Sequence, residues 1–336
     1  MKAKILLFSL LTISSSIAIG QNDNDNFLVS AKGQQGWGFI NLKGEWVIKP
    51  QYQSVGEFAS NGLANVDVDY DKSGFIDKTG KMVIEPIFEG AWQFSNGLAC
   101  IYENRKRGFI DETGKIIIKP QFSYASEFYS NGLAKAVTED EMEGFIDKSG
   151  NFAIPPVYES CGAFSEENGL VCARINYKFG YIDKNSKWVI QPQYEKAYTF
   201  QNGLAAVKLN GKWGFIDENG NMVIKPKFED VFSFDNSGLA IVKINDKYGF
   251  IDKTGAIVIK AKYKYVLGFK DNELAAVRVK DLWGCVDKTG NEVIKPQFEG
   301  LKVVKNTIFA KKNDKFGIID RQGNFIVQPQ FYNVQP

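Results

Sequence analysis

The side chains able to do chemistry in this 336-residue chain are carboxylates and thiols, because it contains no His. That removes Ser-His-Asp and Cys-His nucleophile systems, imidazole general bases, and His-ligated zinc, copper or non-haem iron. Three charged clusters follow one another: Asp67, Asp69 and Asp71; then Arg105, Lys106 and Arg107; then Glu139, Asp140, Glu141 and Glu143. A Ca²⁺ loop fits the first cluster poorly, since Lys72 takes the glycine position and Lys78 the place of the bidentate Glu. Another Asp recurs at Asp77, Asp111, Asp147, Asp183, Asp217, Asp252, Asp287 and Asp320. Paired carboxylates can do acid–base work, but a group repeated eight times at a turn start reads as a turn former. No catalytic residue, metal site or cofactor is assigned, and the chain reads as a non-enzyme.

These residues sit in a repeat. The stretch from Trp213 to Phe228, WGFIDENGNMVIKPKF, returns with its first glycine at Gly38, Gly74, Gly108, Gly144, Gly180, Gly214, Gly249, Gly284 and Gly317. Asp stands three positions later in all but the first copy, which has Asn41. Six positions after the first glycine comes a second, replaced by Ser186 in one copy. Pro follows at twelve, except for Ala261, and an aromatic at fourteen in every copy. Each unit reads as three short strands, for example 204–208, 213–217 and 222–225, joined by Asn-Gly and Asp-x-x-Gly turns. Pro226 is expected to stop the third strand, and a linker of about ten residues carrying a Phe (Phe58, Phe94, Phe128, Phe164, Phe200, Phe234, Phe269) leads on. Val-Ile pairs such as Val47-Ile48 predict cover on both faces of that strand, so units must stack on neighbours. The glycine opening each middle strand is read as making room for an aromatic ring of the adjacent unit.

The aromatic-Gly-Phe-Ile-Asp run, the Lys-Thr-Gly turn, the Val-Ile-x-Pro-x-aromatic run and the Gly-Leu-Ala strand start together resemble the WG-containing (KWG) repeat family of bacteria. The resemblance covers roughly residues 27 to 331 and implies a β-rich repeat array, usually without an assigned activity. Units two, three and four depart from it, with Ser73, Arg107 and Glu143 before the glycine. The expected architecture is all-β: an open solenoid or superhelix of about nine three-stranded antiparallel meanders over residues 27–336. A β-propeller-like ring is the alternative, disfavoured because nine blades is many and three strands per blade is few.

In a stack, the charged tips of units two to four would form an acidic–basic–acidic ladder, with pairs such as Arg107–Glu143 replacing aromatic packing. A cation or polar-ligand site on that edge is the rival, with Arg105 and Arg107 as candidate ligand-binding residues. One linker slot varies (Gly56, Trp92, Ser126, Gly162, Tyr198, Phe232, Leu267), which suggests a surface position. Trp92, Tyr198 and Phe232 are therefore candidates to stack on a sugar or a partner side chain. Cys100 and Cys172 share one slot, Cys161 replaces a small apolar residue and Cys285 replaces Phe215, so all four read as buried free thiols. A Cys161–Cys172 bridge is the alternative.

Residues 1–20 read as a signal peptide: Lys2 and Lys4, the apolar run 5–13, and Ala18-Ile19-Gly20 before Gln21. Residues 21–26 read as a disordered linker. The whole formal charge of +2 belongs to Lys2 and Lys4, so the mature chain is neutral, which argues against nucleic acid as a partner. With no other long apolar run, the mature chain is expected to lack a transmembrane segment. The expectation is an exported binding or scaffold protein (periplasmic, outer-surface or secreted) engaging a protein or extended ligand. An envelope polysaccharide-binding protein is the alternative.

Overall fold

A computed structural model describes residues 27–269, 273–304 and 306–335. The leader and linker read at residues 1–26 lie outside them. Among the described residues, nine four-stranded antiparallel sheets follow the nine repeats. In the sixth, the strands are Lys196–Ala197, Ala205–Leu209, Lys212–Ile216 and Met222–Phe228, hydrogen-bonded in that order. Blades two to nine span residues 54–88, 90–122, 124–158, 160–194, 196–228, 230–263, 265–298 and 300–331. Blade one takes Val29–Gly33, Gly36–Ile40 and Trp46–Tyr52, and its missing strand is supplied from the chain's other end by Asn333–Gln335.

The architecture is therefore a nine-bladed β-propeller and not an open stack of three-stranded units. The expectation failed because the linker contains a strand, in four blades only two residues long, such as Ser54–Val55 and Tyr265–Val266. Nine apolar clusters, each shared by two consecutive blades, hold the ring. The closing one joins Val304, Phe309, Phe316 and Phe331 to Val29, Ala31 and Ile40. Lys302 clamps the junction, its Nζ donating to the Val334 carbonyl at 2.6 Å and to Asn333 Oδ1 at 3.0 Å.

The linker Phe has a definite partner. It packs on the ring that follows the repeat glycine in the preceding blade, as in Phe75–Phe94, Phe109–Phe128 and Phe215–Phe234, with centroids 4.7 to 4.9 Å apart. Tilted pairs of this kind add about 0.5–1.5 kcal/mol beyond area burial. Between blades eight and nine, Cys285 and Val304 hold the two positions instead.

The repeat glycine does not accommodate a neighbour's ring. A Cβ on Gly214 would lie 2.4 Å from the Ile224 carbonyl oxygen and 2.8 Å from Pro226 N, both on the fourth strand of its own blade. That strand slips register over the glycine, pairing Phe215 with Ile224 but Trp213 with Phe228. Pro226 accordingly lies inside the strand and does not end it. Proline is tolerated because this strand is the sheet's free edge, where a missing N–H also discourages pairing with foreign strands. Its Val positions face solvent (Val47 is 47% exposed), so the strand is covered on one face only.

The repeated Asp does what its spacing implied. Asp77 Oδ1 accepts from Thr79 N at 2.9 Å, Thr79 Oγ1 at 2.6 Å and Lys81 N at 3.1 Å. Where Ser186 replaces the turn glycine it adopts φ of 66°, and its Oγ lies 2.5 Å from the Tyr158 hydroxyl of the previous blade.

Candidate functional site

In each blade the link from the preceding fourth strand and the hairpin joining strands two and three lie at one end of the ring. In blades five, six, seven and nine a Glu in that link fixes the hairpin tip. Glu195 accepts from Gly211 N, Glu229 from Asn245 N and Asp246 N, and Glu299 from Asn313 N and Asp314 N, at 2.9 to 3.2 Å. Glu159 accepts from Tyr177 N, most closely at 3.2 Å. The two central tip residues have positive φ, as in Asn245 (49°) and Asp246 (59°), the backbone of a tight two-residue hairpin turn. This Glu was not singled out in the sequence, although its place directly after the aromatic slot was a usable signal.

Blades two to four break that pattern. The link residue is Gln53 in blade two, where its Nε2 donates to Asp69 Oδ1 at 3.2 Å. In blade four it is Ser123, whose Oγ donates to the carbonyls of Val137 and Thr138. The slot before the repeat glycine turns polar, and in blades three and four it reaches the first strand of the following blade. Arg107 Cζ lies 4.2 Å from the Trp92 ring centre and 4.3 Å from that of Tyr124, and Nη1 donates to the Ala125 carbonyl at 2.9 Å. One blade on, Glu143 Oε2 accepts from Cys161 N at 2.6 Å and pairs with Lys135 Nζ at 3.3 Å. Arg107 and Glu143 thus do not pair: each makes the same step to its own next blade. Among the described residues the ladder survives only in Lys106–Glu139, a contact that pulls the Glu139 carboxyl below its usual pKa.

First strands of neighbouring blades touch, as where Thr199 Oγ1 donates to the Ala163 carbonyl at 3.2 Å, so they form the hub of the ring. The variable slot lies on them or directly after them. Trp92, Tyr198 and Phe232 are all half-exposed, but they belong to blades three, six and seven. The structure brings Trp92 and Arg107 together, with Arg105 exposed at the tip of the same hairpin. Tyr198 stacks instead on Trp213, centroids 4.8 Å apart, and burial raises its pKa with a smaller contribution from Asp230.

Between the hairpin end of blade two and the start of the first strand of blade three lies a cleft of about 640 Å³. Its walls include Asn65, Asp67, Asp69, Tyr70, Asp71, Ser73, Glu89 and Trp92. Ser73 Oγ donates to Asp67 Oδ1 at 2.6 Å, and Asn65 Nδ2 to the Ala91 carbonyl at 3.1 Å. Among the described residues, no Lys or Arg pairs with Asp67, Asp69, Asp71 or Glu89. Tip acids in blades seven, eight and nine are paired: Asp246 with Lys243 at 2.8 Å, Asp281 with Lys264 at 3.0 Å, and Asp314 with Lys311 at 3.0 Å. No three Cys, Asp or Glu side chains among the described residues converge to hold a metal ion.

The cysteines are free and buried. Burial pushes Cys100 and Cys285 up to about 12 and Cys172 to about 11. Cys161 packs in the apolar cluster between blades four and five and Cys172 in that between five and six, on opposite faces of one sheet. The bridge considered from sequence is therefore not formed.

Comparison with known proteins bears on family and fold. A family model of the WG containing repeat matches residues 37–70, 74–106, 108–140, 144–179, 179–213, 213–248, 248–283, 283–316 and 316–336. No curated protein matches. A crystal structure of a eukaryotic initiation factor superposes with TM-score 0.66 at 10% identity, covering 92% of this chain and 98% of that one. Apo AztD from Citrobacter koseri gives 0.46 at 13% identity, over 91% and 96% of the two chains. BamB from Moraxella catarrhalis gives 0.44 at 12%, over 85% and 93%. At these identities the likeness concerns fold alone.

Proposed function

The chain belongs to the WG containing repeat family, and from that premise we propose that it is an exported, non-catalytic binding scaffold. Its recognition face is the hairpin end of blades two to four, and its partner is a protein segment carrying Lys or Arg. One observation supports this most: Asp67, Asp69, Asp71 and Glu89 line a cleft with no cationic partner among the described residues, while tip acids in blades seven, eight and nine are ion-paired. Tyr70, 83% exposed, flanks those acids. Aromatic faces beside carboxylates suit an incoming ammonium or guanidinium, and Arg107 already uses the Trp92 ring in that way. No helix among the described residues is long and apolar enough to cross a membrane.

Stacking of sugars along a row of rings is disfavoured. Trp92 is covered by Arg107 and Tyr198 by Trp213, and the rings sit on separate blades. The test is calorimetric titration with short extended peptides in which Lys and Arg are scanned. The reading expects a basic peptide to bind, to weaken with salt, and to lose at least tenfold affinity for the variant Asp67→Asn, Asp69→Asn, Asp71→Asn. Binding indifferent to that triple change would overturn it. Export is tested by N-terminal sequencing of the protein after expression in a bacterial host, with Gln21 as the expected first residue.

A further inference from the structure

The outward face of the fourth strands carries a second charge pattern, on the arc of the ring opposite the acidic cleft. Three side chains per fourth strand point to solvent there. In blade six these are Val223, Lys225 and Lys227; in blade seven Val258, Lys260 and Lys262; in blade eight Val293, Lys295 and Gln297. The corresponding positions of the other six blades hold only two lysines, Lys49 and Lys119. Lys253 adds to the strip, since its turn in blade seven lies against blade six, where Lys227 Nζ donates to the Gly255 carbonyl at 3.4 Å. None of these six lysines is ion-paired among the described residues. Acids stand close to the strip by place in the fold: Asp252 beside Lys253, Asp217 and Glu218 in the turn of blade six, Glu229 just past Lys227, and Glu292 at the start of the fourth strand of blade eight.

We propose that this strip binds a linear acidic polysaccharide laid across the rims of blades six to eight. Like charges gathered on one side of the ring repel one another, and a ligand with repeating negative charge relieves that repulsion. Lys225 and Lys227 are two residues apart along one strand, about 7 Å, a spacing suited to successive charged groups of a chain. The cations are all lysines, so the strip lacks the guanidinium forks that favour phosphate recognition. Its outward positions carry no aromatic ring on which a nucleobase would stack. Val223, Val258 and Val293 instead offer an aliphatic path for the C–H faces of sugars. This surface is separate from the acidic cleft, and either can fail without the other.

The experiment measures fluorescence anisotropy of labelled polygalacturonate against the full mature protein at low salt. Binding is expected, and it weakens as salt rises. The variant Lys225→Gln, Lys227→Gln, Lys260→Gln, Lys262→Gln should bind at least tenfold more weakly with unchanged thermal melting, and Lys260→Gln with Lys262→Gln alone should give an intermediate loss. The pair Lys49→Gln and Lys119→Gln should change affinity less than twofold. The proposal is overturned by no binding at low salt, by equal losses in the rim and control variants, or by tighter binding of single-stranded DNA of matched charge.

Discussion

Blades three and six share nearly the same interior and differ at one end. In both, a Phe of the third strand packs on a Phe on or just past the next blade's first strand, at 4.8 Å for Phe109–Phe128 and 4.9 Å for Phe215–Phe234. At the hairpin end, blade six has Glu195 holding its turn and Trp213 stacked on Tyr198. Blade three has Arg107 between two rings and opens onto an acidic cleft. The ring is held by what the blades share, and the recognition surface is built where they differ.

The largest effect tests the shared half of that statement. Phe109→Ala and Phe215→Ala should each cost about 3–5 kcal/mol, equally within error, when followed by urea unfolding. A clear inequality would mean that the irregular blades are held differently. Next comes Arg107→Ala, expected to cost about 1–3 kcal/mol because the Ala125 carbonyl loses its donor and two rings lose their cation. Arg107→Trp, which restores the common residue, should recover most of that stability and leave peptide binding at the cleft within about twofold, since Arg107 is not among the cleft's lining residues. A variant that recovers stability but loses peptide binding would make Arg107 part of the recognition surface.

A smaller difference concerns the link carboxylates. Glu229→Gln should cost about 0.5–1.5 kcal/mol through its two tip amides. Glu89→Gln should leave thermal melting unchanged, since no tip amide donates to Glu89 among the described residues. Equal costs would show that blade three is capped like the regular blades.

The smallest contrast is in acid. Turn carboxyls in both regions, Asp77 and Asp111 as well as Asp217, Asp252 and Asp287, lie below their usual pKa. For Asp287, brought to about 2, the largest cause is the Thr289 hydroxyl, followed among the favourable contacts by the Asn291 amide. A carboxyl depressed in the folded state stabilises it fully above the unfolded value of about 3.9. That contribution is lost as pH falls from there towards 2. Melting temperature should therefore hold down to about pH 4 and decline below it, and Asp287→Asn should flatten the decline. A decline beginning near pH 6 would point to other groups.

Much of this was legible in the residues. The period, the Asp turns and the linker Phe all mark real contacts, because a turn acid and a core ring are dictated locally and recur. The first strands were hidden, since two residues such as Ser54–Val55 are too short to show a period. Ring closure did leave a trace. Tyr332-Asn333-Val334 repeats the start of a tenth unit, with Val334 aligned to Val231 and Val266, and a lone first strand after nine units implies that it completes the first. Arg107–Glu143 was misjudged for a geometric reason: residues in one slot of successive blades reach forward in parallel and so do not meet each other.

The most direct test uses two tyrosines matched in exposure, Tyr70 at 83% on the tip of blade two and Tyr177 at 80% on that of blade five. A photo-crosslinking residue is placed at either position, and the protein is irradiated with a partner mixture rich in basic peptides. Crosslinking from position 70 alone, lost in the Asp67→Asn, Asp69→Asn, Asp71→Asn background, is the predicted result. Equal crosslinking from both positions, or crosslinking from 177 alone, would contradict the assignment of recognition to the irregular blades.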